Sequence, residues 1–334
     1  MDGQVRGSIT RVLVRVAASL LVAGCQPGSG GSPSDPPSAT DPSSVTTGPS
    51  PRQPVEGEFV VVAAGDIVCE PSSSAFDGHE PDSCQHRATA QLVGDADAVL
   101  VLGDLQYEDG AHDEYHAGYA RSWGRFADIS YPAPGNHDYH TDGARGYFYF
   151  WRTRGRPTGE ETGGAYSFDA GGWHLIALNS NCSDVPCEEG TPQDEFLERD
   201  LAQTDEECIL AYWHHPYFNS GSIHGDSTAG DTFWEDLYAA RADLVLNGHE
   251  HNYQRYAKQD PSGDATPDGI RQFVAGTGGK SLYGLSDEKD PNYETGDDQH
   301  FGVLRLFLAE DSYSWEFVAI EGHVLDQGGP IACN

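Results

Sequence analysis

Five times in this chain an apolar run stops abruptly at a small cluster of Asp, Asn or His. Val99-Leu100-Val101-Leu102 runs into Gly103-Asp104, with Tyr107 three positions further on. Phe59-Val60-Val61-Val62-Ala63-Ala64 ends in Gly65-Asp66, and Ile129-Ser130-Tyr131-Pro132-Ala133 leads to Gly135-Asn136-His137-Asp138. Ile209-Leu210-Ala211-Tyr212-Trp213 ends in His214-His215, and Asp243-Leu244-Val245-Leu246-Asn247 in Gly248-His249-Glu250-His251. Continuous apolar runs of this length read as strands buried on both faces. In α/β sheets the functional groups collect just past the carboxyl ends of such strands. One Gly-Asp alone would be no more than a helix cap. Five endings that all offer metal-ligand types predict a metal site assembled at one edge of a sheet.

In this order and spacing the motifs resemble those of the calcineurin-like metallophosphoesterases, and within them the purple acid phosphatases, from about Phe59 to the C-terminus. Two positions carry the choice of branch. The wider superfamily opens with Asp-x-His, but the third position here is Val68, which has no donor atom. The purple acid phosphatases instead take a tyrosinate three residues after the bridging aspartate, where Tyr107 stands. The resemblance implies an α/β fold, a four-layer α/β-β/α sandwich of two mixed sheets flanked by helices. It also implies one metal held by Asp66, Tyr107 and His251, a second held by Asn136, His214 and His249, and Asp104 bridging the two. Fe(III) would sit at the Tyr107 site, with Fe(II), Zn or Mn at the other.

The residue types suit that role. A carboxylate has two oxygens, so one Asp can hold two cations about 3.5–4 Å apart. Gly248-His249-Glu250-His251 sets two imidazoles on the same side of one short extended segment. Asn136 contributes a neutral oxygen, so the metal pair keeps a net positive charge attractive to a phosphate dianion. The family pattern then implies attack by a metal-bound hydroxide on a phosphate monoester. His137 would protonate the departing alkoxide, with Asp138 as its orienter. In the loop after His214, His224 matches a substrate-contacting histidine of plant members. The preceding position, usually also histidine there, is Ile223, so substrate contacts in this loop depart from the pattern. The alternatives are a phosphodiesterase or nucleotide-cleaving enzyme on the same scaffold, and an inert surface binding protein.

A formal charge of −34 over 334 residues argues against any broad electrostatic grip on nucleic acid, and a small phosphorylated substrate is expected. At the N-terminus Arg6, Arg11 and Arg15 flank the apolar run Val16 to Ala23, which ends at Val22-Ala23-Gly24-Cys25. This is signal-peptide grammar, too short to span a bilayer. Its ending resembles a bacterial lipobox, which would anchor the protein to the cell surface through lipid on Cys25, its only membrane contact. The expected organisation is a lipoprotein signal over 1–24, a tether over 25–57 too poor in apolar residues to order itself, and a catalytic domain over 58–334.

Beyond Cys25 six cysteines remain, which allow fifteen pairings. Short separations favour Cys69 with Cys84 and Cys182 with Cys187, leaving Cys208 to Cys333. Helices are expected over Arg87–Gly94, over His112–Ala127, over Pro192–Ala202 with Thr191 as cap, and over Asp231–Ala240. The aromatic-rich stretch from Gly143 to Trp151 reads as irregular. A hairpin around Gly171-Gly172 opens a second sheet. Phe273–Thr277, Gly302–Leu308 and Tyr313–Ile320 are expected to continue that sheet.

Overall fold

The computed structural model describes residues 48–334, so the signal segment, Cys25 and most of the tether lie outside the described residues. The first three strands, β1 (Phe59–Ala64), β2 (Ala98–Leu102) and β3 (Ser130–Ala133), are parallel neighbours. The predicted hairpin, β4 (Tyr166–Ala170) and β5 (Trp173–Ala177), opens the second sheet. Beside it β6 (Cys208–Tyr212), β7 (Leu244–Asn247) and β9 (Arg271–Ala275) continue in parallel. The antiparallel strands β8 (Tyr253–Tyr256) and β10 (Tyr293–Asp297) complete it, in the order β10-β8-β9-β7-β6-β5-β4.

The last three strands do not join that sheet. β11 (Gly302–Ala309), β12 (Ser312–Ala319) and β13 (Val324–Ala332) return to the first sheet, where β11 pairs antiparallel with β1 from Phe59↔Leu308 to Ala63↔Leu304. This corrects the assignment of Gly302–Leu308 and Tyr313–Ile320 to the second sheet. Period-two alternation says which face of a strand is buried, but not which neighbour it takes.

Burial explains the unbroken apolar runs. Along β1, Val61 and Ala63 face the second sheet and pack with Leu210, Leu246 and Phe273, while Val62 and Ala64 face outward. The outward residues meet a helical layer that carries Tyr115, Tyr119, Trp123 and Trp151. On the far side Ile209 and Val245 pack under Leu197, Phe233 and Trp234. The result is the expected four layers, with the sheet–sheet core at the centre.

The helical layers depart from expectation locally. His112–Ala127 is not one helix: the α-helix runs only over His112–Ala117 and 3-10 turns follow. Gln106 interrupts it, since its Oε1 accepts the Tyr119 N–H at 2.9 Å and lies where a Cβ on Gly118 would fall. Arg87–Gly94 is likewise a single α-turn, His86–Thr89, continued as 3-10. Conversely, the stretch read as irregular contains a helix, Arg145–Arg152, which buries Tyr147, Phe150 and Trp151. Pro192–Leu201 begins at Thr191, whose hydroxyl accepts the Asp194 N–H.

Packing also starts before residue 58. The Arg52 N–H donates to Glu316, its guanidinium pairs with Glu58 at 2.8 Å, and it lies 3.4 Å over the Phe307 ring. The Pro49 carbonyl accepts the Val324 N–H at 2.8 Å. All three expected disulfides are present, Cys69–Cys84, Cys182–Cys187 and Cys208–Cys333. The last ties β6 of the second sheet to the end of β13 in the first.

Candidate metal centre

The five strand endings open at one place, past the carboxyl ends of β1, β2 and β3 in one sheet and β6 and β7 in the other. The turns that deliver them are tight. Asp66, Asp104 and His249 have φ of 59°, 49° and 69°, a region that L residues rarely occupy and that concentrates at functional sites. Gly135 permits a close approach to the shared aspartate, because a Cβ there would lie 2.1 Å from Asp104 Oδ1.

Two clusters of donor atoms share one carboxylate. In the first, Tyr107 Oη lies 2.8 Å from Asp66 Oδ1, 3.0 Å from Asp104 Oδ2 and 3.0 Å from His251 Nε2. In the second, His214 Nε2 lies 3.1 Å from Asn136 Oδ1, 3.2 Å from His249 Nδ1 and 3.4 Å from Asp104 Oδ2. Asp104 Oδ2 therefore belongs to both. The remaining oxygens are fixed by backbone: Asp104 Oδ1 accepts the His137 N–H and Asp66 Oδ2 accepts the His249 N–H, each at 2.8 Å. The structure thus brings together all seven residues expected as ligands.

The donor set fits cations. Asp66, Asp104, Tyr107, His214 and His251 are buried, with oxygens and ring nitrogens converging at hydrogen-bond distance. His214 Nδ1 donates to the Leu102 carbonyl at 2.8 Å, and His251 Nδ1 meets Ser281 Oγ at 2.9 Å, so each ring keeps Nε2 for the centre. Asp66, Asp104 and His214 offer atoms within 4.8 Å of one another, so the two clusters adjoin across Asp104. Electrostatics agree. Burial would raise the Asp104 carboxyl, but the facing imidazoles, His214 first, outweigh it and hold it below the usual carboxylate range. Burial lowers His214, yet Asp104 pulls it up to about 9. Tyr107 is pushed well up by burial and then by Asp104 and Asp66. Deprotonating it in place would take a strong positive charge.

The groups expected to act on substrate divide. His137 sits at the centre: Nδ1 is 2.7 Å from the Glu108 carbonyl and Nε2 is 4.0 Å from Asp104 Oδ2. Asp138 does not orient it. Its carboxylate accepts the Tyr115 hydroxyl at 2.6 Å and the Gly135 N–H at 2.9 Å, because the 3-10 turn over Asp138–His140 sends consecutive side chains in different directions. Burial, and then Asp104, push Asp138 up to about 7. His224 does reach the centre, where its ring stacks on that of His249 with centroids 4.0 Å apart.

Several contributors were missed from sequence. The Glu108 carbonyl takes His137 Nδ1, with the Glu108 carboxylate 3.7 Å from the same nitrogen. Lys280 pairs with the Glu108 side chain and holds its ammonium 4.5 Å over the Tyr107 ring. Tyr283 stacks on His251 with centroids 4.0 Å apart. The available signal was the Gly276-Thr277-Gly278-Gly279 run after β9, which lets this loop pass close to Gly65. Beside Asn136 and His215 a cleft of about 580 Å³ opens, lined further by Ser180, Asn181, Asp184 and Glu188. His215 is tied there by its Nδ1 to Ser180 Oγ at 2.8 Å.

Residues 56–253 match the family model described as calcineurin-like phosphoesterase. Among curated proteins, the chain is 29% identical over 251 residues to "Probable purple acid phosphatase 20" of Arabidopsis thaliana, covering 67% of this chain and 55% of that protein. It is 27% identical over 217 residues to "Purple acid phosphatase 15" of the same plant, covering 55% and 40%. The chain thus spans about half the length of the curated relatives it matches. Among solved structures, a purple acid phosphatase from yellow lupin (Lupinus luteus) seeds aligns with a TM-score of 0.64 at 20% identity, covering 83% of this chain and 54% of that one. The Plasmodium protein titled "GAP50 the anchor in the inner membrane complex" aligns at 0.57 and 14% identity, covering 83% and 89%. These structural likenesses speak for the fold alone. The family match over residues 56–253 shows that the chain belongs to the calcineurin-like phosphoesterases.

Proposed function

We propose that this chain is a binuclear-metal phosphomonoesterase. The observation that carries the reading is the sharing of Asp104 Oδ2 between the two donor clusters, with the free ring nitrogen of His137 turned toward the same oxygen. Asp66, Tyr107 and His251 would hold one ion and Asn136, His214 and His249 the other. When bound, such a pair supplies positive charge for the phosphoryl oxygens and lowers the pKa of water.

The protein's own residues do the rest. His137 donates its Nδ1–H to the Glu108 carbonyl, which fixes the ring and leaves Nε2 to carry a proton to the leaving oxygen as the ester P–O bond breaks. His224 lies over His249, where an incoming phosphate would meet it. The cleft beside Asn136 takes the alcohol portion, and its lining offers no cation for a nucleic-acid backbone.

For the metals we favour Fe(III) beside Tyr107, with Fe(II), Zn or Mn in the second place. A phenolate is a hard anionic donor, and the neighbours of Tyr107 oppose its ionisation unless a highly charged ion offsets them. The protein would work outside the cytoplasm, as three disulfides suit an oxidising compartment, and lipid on Cys25 would tether it to the cell surface.

Comparing kcat/KM for an aryl monophosphate and its bis-aryl diester tests the reading. The monoester should be preferred by about tenfold or more. A diester preference of that size would replace it with a phosphodiesterase.

A further inference from the structure

Gly248-His249-Glu250-His251 supplies two imidazoles to the centre and leaves Glu250 between them. The chain turns at His249, whose φ is 69°, and bends on past His251, which sends the Glu250 side chain away from the ligand side and against His224. It does not reach solvent, and at 0% exposure it is among the most deeply buried carboxylates of the described residues. Its partners all come from the loop that follows β6 and His214. Oε1 accepts the Ile223 N–H at 3.2 Å. Oε2 accepts the His224 N–H at 3.0 Å, Asn219 Nδ2 at 3.3 Å and His224 Nδ1 at 2.9 Å. The loop closes directly over the carboxylate, since a Cβ on Gly221 would fall 2.1 Å from Oε1.

The bonds from the backbone and Asn219 would be enough to staple a loop. The bond to the imidazole does something else. It fixes the ring of His224 and its tautomer, and it leaves Nε2 as the nitrogen available to a ligand. That ring lies stacked on His249, with centroids 4.0 Å apart and planes at 28°. The neighbouring Ile223 points outward, 59% exposed, so at this end of the loop the imidazole presented to the centre is the one that Glu250 grips.

We propose that Glu250 is a positioning residue that holds His224 over the metal-ligand histidine His249, with Nε2 directed to an oxygen of bound phosphate. The proposal rests on the phosphatase reading of the same site. It assigns the residue inside the Gly-His-x-His motif a task separate from metal binding.

The test uses the full metal-loaded chain, with inorganic phosphate as the probe. The variants are Glu250→Asp, Glu250→Gln, His224→Ala and the double variant Glu250→Gln/His224→Ala. Metal per chain, phosphate affinity by calorimetry and Michaelis parameters on an aryl phosphate are measured for each. Metal content should stay at the wild-type value. Glu250→Gln and His224→Ala should each weaken phosphate binding by roughly 10–100-fold. The double variant should match His224→Ala within about twofold, because two residues acting through one contact are not additive. Glu250→Asp, which keeps the charge, should fall between wild type and Glu250→Gln.

Additive losses, phosphate binding unchanged in Glu250→Gln or His224→Ala, or loss of metal in Glu250→Gln would overturn the proposal. A wild type that shows the expected binding pattern but hydrolyses no ester would remove the phosphatase reading and leave the positioning role standing. A metal-loaded wild type that binds no phosphate overturns both.

Discussion

The two sheets bring opposite chemistry to the same seam. The first, through the turns after β1, β2 and β3, delivers oxygen: Asp66, Asp104, Tyr107 and Asn136. The second, through the turns after β6 and β7, delivers nitrogen: His214, His249 and His251. Neither half is a site alone. The first would be a buried cluster of acids with no counter-charge, the second a cluster of imidazoles whose ring nitrogens face one another. Across the seam each half also fixes the other's side chains. Leu102 of the first sheet accepts from His214, and Asp66 accepts the His249 N–H, both at 2.8 Å. Geometry at the centre is therefore a property of how the sheets pack.

The largest effect should come from the residue that serves both halves. Asp104→Ala removes the shared oxygen, and kcat/KM should fall on the order of 10³-fold or more, with metal content reduced. If activity survives within tenfold, the clusters do not depend on a common bridge. Asp138→Asn sharpens the point, since Asp138 touches Tyr115 and Gly135 rather than the centre, and metal content should be retained.

Next is the covalent tie between the sheets. Replacing Cys208 and Cys333 with Ser should lower unfolding free energy by about 3–5 kcal/mol in a denaturant titration, because it releases a loop with a sequence separation of 125. A loss no greater than that from opening the short Cys182–Cys187 loop would mean that the seam does not need it.

A smaller, pH-dependent effect is expected at the far edge of the second sheet. His174 is buried between Asp169 at 2.6 Å and Asp200 at 2.8 Å. Burial opposes its charge, but the Asp200 and Asp169 bonds outweigh it and raise the folded-state pKa. A raised imidazole contributes stability that is complete below the unfolded value of about 6.5 and is lost as pH rises through the folded value. His174→Gln should thus cost about 2 kcal/mol near pH 5 and much less in alkali, measured by thermal or denaturant unfolding. Equal cost at both pH values would show that packing alone holds this edge.

The subtlest test is Tyr107→Phe, which removes one hydroxyl from the oxygen half. It should abolish any visible charge-transfer band while near-ultraviolet circular dichroism stays native. A colourless wild type containing only zinc or manganese would contradict the iron assignment and leave the ligand geometry standing.

What was legible in sequence follows the same division. Strand endings carry their donor residues within a few positions of an apolar run, so Asp66, Asp104, Asn136, His214, His249 and His251 could be read directly. Two close cysteine pairs announced their own disulfides for a similar reason, and Cys208–Cys333, 125 residues apart, was what they left. Sheet membership of β11 and β12 was not legible, because alternation does not name a neighbour. The break after Ala117 depends on Gln106, which lies outside the helical pattern. Asp138 misled because adjacency to His137 is not contact. Glu250 and Lys280 act through contacts that the fold alone creates.

The central claim is that one binuclear centre forms from the two halves. Elemental analysis of the purified, folded chain tests it most directly. The account expects about two transition-metal ions per chain, falling in Asp104→Ala while the disulfides and fold remain. A folded wild-type chain that takes up no metal, or holds the same two ions without the Asp104 carboxylate, would contradict it.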